Sequence, residues 1–156
     1  MLFRSQAEML LVQARDAKPS DPAVYMTLAG FYQRQGDFQK QMNAVQGRVQ
    51  QEPNNPEVYY TMATFYWDKA YRDFKLTDAD KRNYIQSGVQ AVDKALQLKD
   101  DYMEALVYKN LLLRLQANLE KDRAKQQAVL KEADQLRDRA QALQKQKAAG
   151  GASKGD

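Results

Sequence analysis

The sequence predicts an all-α array of paired helices, and three observations predict it. Pro19-Ser20-Asp21-Pro22 returns 34 residues later as Pro53-Asn54-Asn55-Pro56, and the same run of bulky and small residues follows each: Tyr25, Leu28, Ala29 and Tyr32, then Tyr59, Met62, Ala63 and Tyr66. A repeat of this length is a supersecondary unit that buries its apolar face only against its neighbours. Only 7 Gly and 4 Pro occur in 156 residues, and Gln, Ala, Leu and Lys are abundant, which favours helix over strand. At 44% hydrophobic residues the chain has the apolar surface for one continuous core.

Residues 3–17 read as the opening helix, because Phe3, Ala7, Leu10, Leu11, Ala14 and Ala17 fall within one arc at the helical period. Leu2, Met9 and Val12 form a second apolar strip opposite. Residues 22–35 follow, with Pro22 suited to a first helical turn. Gly36-Asp37 is a tight turn, and residues 37–51 return before Pro53 stops them. A second pair begins at Pro56 and closes with Ala91, Val92, Ala95, Leu96 and Leu98, which places an insertion of 13 residues between its helices. Residues 70–82, including Tyr71, Phe74 and Leu76, are expected to form the protruding tip of a helical hairpin; Thr77 with Asp78 and Asp80 suits a helix N-terminus. Leu106, Leu111, Leu112, Leu113 and Leu115 give the next helix. The last, about 123–147, carries Val129, Ala133, Leu136, Ala140 and Leu143 at alternating spacings of 4 and 3 and reads as a long helix laid on the preceding pair. Residues 148–156 are expected to be a disordered tail.

An aromatic residue, then Leu and a small residue, then Tyr, then a closing Pro, all at a period of 34, resembles the tetratricopeptide repeat family, bacterial type. That resemblance implies a right-handed α-solenoid of antiparallel helix pairs over 1–147, of about three and a half units: a half unit 3–21, a unit 22–55, a unit with the insertion 56–102, and an atypical unit 103–147. The sequence departs from the pattern at Gln41 and Arg48, where small residues are usual and whose polar ends are expected to reach solvent, and at Lys109-Asn110, where Leu and a small residue are usual. Asp100 also replaces the closing Pro.

The resemblance further implies a concave groove lined by the first helix of each pair. Its expected residues are Met26, Thr27, Gly30 and Gln33 in the first complete unit, Tyr60, Thr61, Thr64 and Trp67 in the second, and Val107, Tyr108, Leu111 and Arg114 in the third. Some family members clamp a terminal carboxylate with basic residues there; Glu57 and Glu104 stand in the corresponding region of this chain and argue against such a clamp. The core-forming role falls to Tyr25, Tyr32, Tyr59 and Tyr66.

Composition narrows the function classes. With no Cys and no His, thiolate chemistry, the commonest metal ligand and the usual general base are missing, and no phosphate loop occurs. No enzyme, no cofactor and no metal site is therefore expected, and Asp78, Asp80, Asp100 and Asp101 read as helix-terminal acids. The net charge is +4, and from Leu119 onward nine basic residues alternate with six acidic ones, a mixed surface in place of a nucleic-acid stripe. No run of 18 apolar residues exists, and Met1-Leu2-Phe3-Arg4 opens without the apolar run of a signal peptide. The expectation is a soluble, noncatalytic protein-protein interaction module, a scaffold that binds a peptide or partner segment in its groove. The alternative is a self-assembling module, a homo-oligomer or part of a longer array, joined through chain ends or the inserted hairpin. The layout also resembles repeat regions of exported bacterial proteins, so cytoplasm and periplasm are both compatible.

Overall fold

The computed structural model describes residues 2–152, and all of its secondary structure there is helical: α1 (Leu2–Ala17), α2 (Pro22–Gln35), α3 (Phe38–Gln51), α4 (Pro56–Arg72), α5 (Asp78–Leu98), α6 (Met103–Leu119) and α7 (Arg123–Ala152). None of these helices is long and apolar enough to cross a membrane. Where the repeat spacing predicts one domain, the chain divides into two compact units, the first ending at Val58 and the second beginning at Tyr59.

In the first unit, α2 packs on both α1 and α3. The Asp21 carboxylate accepts the Ala23 N–H at 3.0 Å and starts α2, with Pro22 pre-set for the first turn. Gly36, at φ 73°, ends it in the left-handed conformation that a Cβ would strain. The Gly36 N–H bonds the Gln33 carbonyl, the Asp37 N–H bonds that of Tyr32, and the Asp37 carboxylate then caps α3 by accepting the Lys40 N–H at 3.0 Å. Leu28, Ala29, Phe31 and Tyr32 from α2 are thereby buried with Met42, Ala44 and Val45 from α3. The small residue that lets these helices approach is Gly47, where a Cβ would fall 2.4 Å from Cδ1 of Tyr25. Gln41 is only 5% exposed, so the expectation that it reaches solvent is corrected. Arg48 meets its expected polar fate differently, through ion pairs with Glu52 at 2.7 Å and Glu57 at 3.5 Å.

The opening helix is rotated from its expected face. Phe3 is 87% exposed and Leu10 62%, Ala14 and Ala17 are exposed too, and half-buried Ala7, Glu8, Leu11, Val12 and Arg15 form the inward side. Met9 is exposed, and the side chain of Leu2 lies outside the described residues. A polar anchor accompanies this rotation: the Glu8 carboxylate accepts from the Tyr32 hydroxyl at 2.9 Å and from Lys40 Nζ at 2.8 Å. The bond from Lys40, then that from Tyr32, holds the Glu8 carboxyl below its usual value of 4.5. A depressed carboxyl pKa contributes stability that is present above the usual value and is lost as pH falls through the folded one. Hydrogen exchange at α1 amides should therefore accelerate as pH drops below 4.5 beyond the intrinsic pH dependence, and Glu8→Gln should remove that pH sensitivity. An α1 protected equally at both ends of that range would show that the anchor contributes nothing.

In the second unit, α4 packs on α5, where the rings of Tyr66 and Tyr84 lie 6.3 Å apart; α5 packs on α6, and α6 on α7. The insertion lengthens both helices of its pair: α4 has 17 residues and α5 has 21, against 14 each in α2 and α3. Thr77 starts α5 by accepting the Asp80 N–H and donating to the Asp80 carboxylate at 2.7 Å. Part of the expected outlying tip belongs to the fold. Ala70 is buried, Tyr71 stacks on Trp67, and Arg82 donates to the Leu119 carbonyl; only Phe74, at 90% exposed, stands free of apolar cover.

Ala63, Ala91, Val92, Ala95, Ala105 and Leu112 form the buried centre. Gly88 permits their approach, because a Cβ there would lie 2.8 Å from Cδ2 of Leu112 and 3.2 Å from Cβ of Tyr66. The seam of α7 supplies buried Ala133 and Ala140 with half-buried Val129, Leu136 and Leu143. Lys109, at the irregular Lys109-Asn110 step, links three helices by meeting Asp93 at 2.9 Å and Glu132 at 3.1 Å. Burial pulls its pKa down, but these two partners outweigh that and the net shift is upward. α7 continues to Ala152, so residues 148–152 correct the expected tail, consistent with the helix propensity of Ala148 and Ala149; the remainder of that tail lies outside the described residues.

Candidate functional site

Helix α4 sets Tyr60, Thr64, Trp67 and Tyr71 along one side, at intervals of four, three and four residues. Helix α6 brings Tyr108 against them. The Tyr108 ring stands nearly perpendicular to two rings of α4, to Tyr60 at 5.5 Å and 82° and to Trp67 at 5.8 Å and 84°. Trp67 stacks on Tyr71 at 4.8 Å with only 10° between planes, and Tyr60 meets Tyr102 at 5.3 Å. Five rings thus run in contact from Tyr102 through Tyr60, Tyr108 and Trp67 to Tyr71. Offset-stacked and edge-to-face pairs of this kind are each worth about 0.5–1.5 kcal/mol beyond their area.

The rings are neither free groove walls nor closed core. Tyr60, Trp67 and Tyr102 pack against the buried centre with one side, and all of the ladder except exposed Tyr71 is half-buried. Burial raises the Tyr60 phenol above 10.0, helped by Tyr108 and by the negative charge of Glu104. Leu111 and Thr61 are half-buried as well. The Thr64 hydroxyl donates to the Thr61 carbonyl at 2.7 Å, so its proton is spent inside the helix and its oxygen remains an acceptor only.

The remaining predicted lining residues fall into two groups. Met26, Thr27, Gly30 and Gln33 form a strip on α2 of the first unit, exposed at Thr27 and Gln33 and half-buried at Met26 and Gly30. Thr27 donates to the Ala23 carbonyl at 3.0 Å, as Thr64 does to Thr61, and Arg34 lies 3.6 Å from where a Gly30 Cβ would stand. In the second unit, Arg114 is tied to α7, donating to Asn110 at 2.9 Å and pairing with Asp134 at 2.6 Å. Val107 borders an open cavity of about 340 Å³ with Met103, Asn110 and Ala140. Sequence reasoning missed Tyr71 and Tyr102 as the ends of the ladder. For Tyr71 a signal exists in its spacing of four from Trp67 and eleven from Tyr60, both on the same helical face. For Tyr102, which precedes α6, no periodicity applies. No family model matches the chain, and no curated protein matches it.

Proposed function

We propose that the chain is a noncatalytic interaction module of tetratricopeptide type, a right-handed solenoid of antiparallel helix pairs that binds a peptide or partner segment on its aromatic groove. The observation that carries this reading is the ladder: five rings, each in contact with the next, packed on the core side at Tyr60, Trp67 and Tyr102 and only half-buried except at exposed Tyr71. Rings held in this way lose little freedom when a partner arrives, which lowers the cost of binding. Support for the repeat assignment comes from the 34-residue offset and from the buried small residues Ala29 and Ala63 that share it.

Selection of peptides from a random displayed library on the purified chain tests the proposal. Binders should lose about 30-fold in affinity with Tyr60→Ala or Trp67→Ala, the loss of one aromatic anchor worth about 2 kcal/mol. Phe74→Ala, at an exposed ring off the ladder, should change nothing. Binders sensitive to Phe74 and indifferent to Tyr60 and Trp67 would move recognition away from the groove. A second reading, self-assembly, is favoured by exposed Phe3, Met9 and Leu10 on α1. It requires that mass in solution rise with concentration and that Phe3→Ser with Leu10→Ser abolish the rise.

A further inference from the structure

We infer that the segment received by the aromatic groove is basic, anchored by an arginine side chain that lies against the ladder near Tyr60 and is paired by Glu104. The inference rests on the groove-binding proposal and adds the chemistry of the partner. Tyr and Trp faces carry the negative part of the ring quadrupole and attract a cation within about 6 Å of the centroid. One end of the ladder already does so within the chain, since Lys99 Nζ stands 5.2 Å over the Tyr102 ring.

Charge around the rings points the same way. Glu104 stands in the first turn of α6, four residues before Tyr108 and so on the helix face that carries this ring of the ladder; it is exposed and makes no ion pair among the described residues, nor does Asp101, beside Tyr102 in sequence. The nearby bases on α4 are already neutralised, Arg72 by Asp68 at 2.6 Å and Lys69 by Asp73 at 2.7 Å. Glu104 is thus a carboxylate without an ion pair beside the rings, sharing that end of the ladder with Lys99, on a chain whose net charge is +4. A net positive chain does not attract a basic segment at long range, so its capture would rest on this local site.

Arginine fits better than lysine for two reasons. Its planar guanidinium can lie on a ring while its fork meets a carboxylate. It is also a donor-only group, and the groove offers acceptors: the Glu104 carboxylate and the Thr64 oxygen, whose proton is committed to Thr61. An acidic segment would meet the Glu104 carboxylate, while Lys99 at that end of the ladder already lies over the Tyr102 ring.

Trp67 is the only tryptophan, so its emission reports the site directly. The full chain is titrated with a short blocked peptide carrying two arginines among leucines, and with the same peptide in which citrulline replaces each arginine. The expected result is saturable change in emission with the arginine peptide, about tenfold weaker binding of the citrulline peptide, and affinity that falls as salt rises. Glu104→Gln should weaken the arginine peptide about fivefold, leave the citrulline peptide unchanged, and leave the helical signal intact, because the Glu104 side chain makes no ion pair or hydrogen bond among the described residues. Equal binding of the two peptides, or an arginine affinity indifferent to Glu104→Gln, overturns the inference and leaves groove binding standing. If neither peptide binds while library-selected neutral peptides still depend on Tyr60 and Trp67, the cationic anchor is wrong and the groove is right. If no peptide of any kind depends on those rings, both fall.

Discussion

Leu112→Ala should destabilise the second unit by about 3 kcal/mol, the cost of deleting a fully buried leucine and leaving part of its space empty. Its partner Gly88 makes the more discriminating case. Gly88→Ala puts a methyl 2.8 Å from Cδ2 and 3.2 Å from Cδ1 of Leu112, whose side chain has no solvent to retreat into. Overpacking of this kind costs about 1–3 kcal/mol, against about 1 kcal/mol gained from alanine in a helix interior, so the single substitution should be destabilising on balance. In the Leu112→Ala background both δ carbons are gone and the contact with Cβ of Tyr66 at 3.2 Å remains, so Gly88→Ala should cost markedly less than it does in the wild-type chain. Urea unfolding followed by Trp67 emission reads the second unit and completes the double-mutant cycle. Strict additivity of the two substitutions would show that α5 and α6 do not meet at this point.

The second large effect belongs to the first unit. Gly47→Leu should cost about 2–3 kcal/mol, because its Cβ would occupy space held by Tyr25, 2.4 Å from Cδ1 and 2.5 Å from Cε1. The ring is not free to swing aside at no cost, since its hydroxyl donates to the Pro19 carbonyl at 2.7 Å and ties α2 to the turn before it. Tyr25→Phe alone should lose only about 1 kcal/mol, the net worth of that bond. Circular dichroism in urea should show the early loss of part of the helical signal in Gly47→Leu while Trp67 emission keeps its midpoint. A wild-type unfolding curve in Gly47→Leu would remove Tyr25 from its place over the glycine.

The two glycines also mark how far the sequence could be read. Element positions were legible because they depend on local chemistry. Pro22 and Asp21 set the start of α2, Gly36 and Asp37 its end and the start of α3, and Thr77 with Asp80 the start of α5. Each of these acts within four residues of itself, so no tertiary information is needed. The apolar faces of α2, α5 and α7 follow equally from a period of 3.6, and their central residues Leu28, Val92 and Ala133 are buried.

What the sequence by itself determined, then, is the helical character of the described chain, most helix starts and the side of most helices that turns inward. Tertiary structure decided the rest. Helix α1 has a main apolar face and a second strip, and its inward side is neither of them, taking Ala7 and Leu11 from the first and Val12 from the second; the bonds from Tyr32 and Lys40 to Glu8 that accompany this face come from residues 24 and 32 positions away. The same holds for close approach. Gly47 and Gly88 look like any helical glycine until Tyr25, Leu112 and Tyr66 are placed against them. The ladder is the clearest instance: spacing aligned Tyr60 and Trp67 on α4, but only packing inserted Tyr108 between them and stacked Tyr71 on Trp67, using a residue that the insertion had seemed to carry out of the core. Local chemistry acts along the chain within one or two turns, whereas ring contacts and methyl-sized gaps depend on the distance between helices, which side-chain volumes from distant parts of the sequence set together.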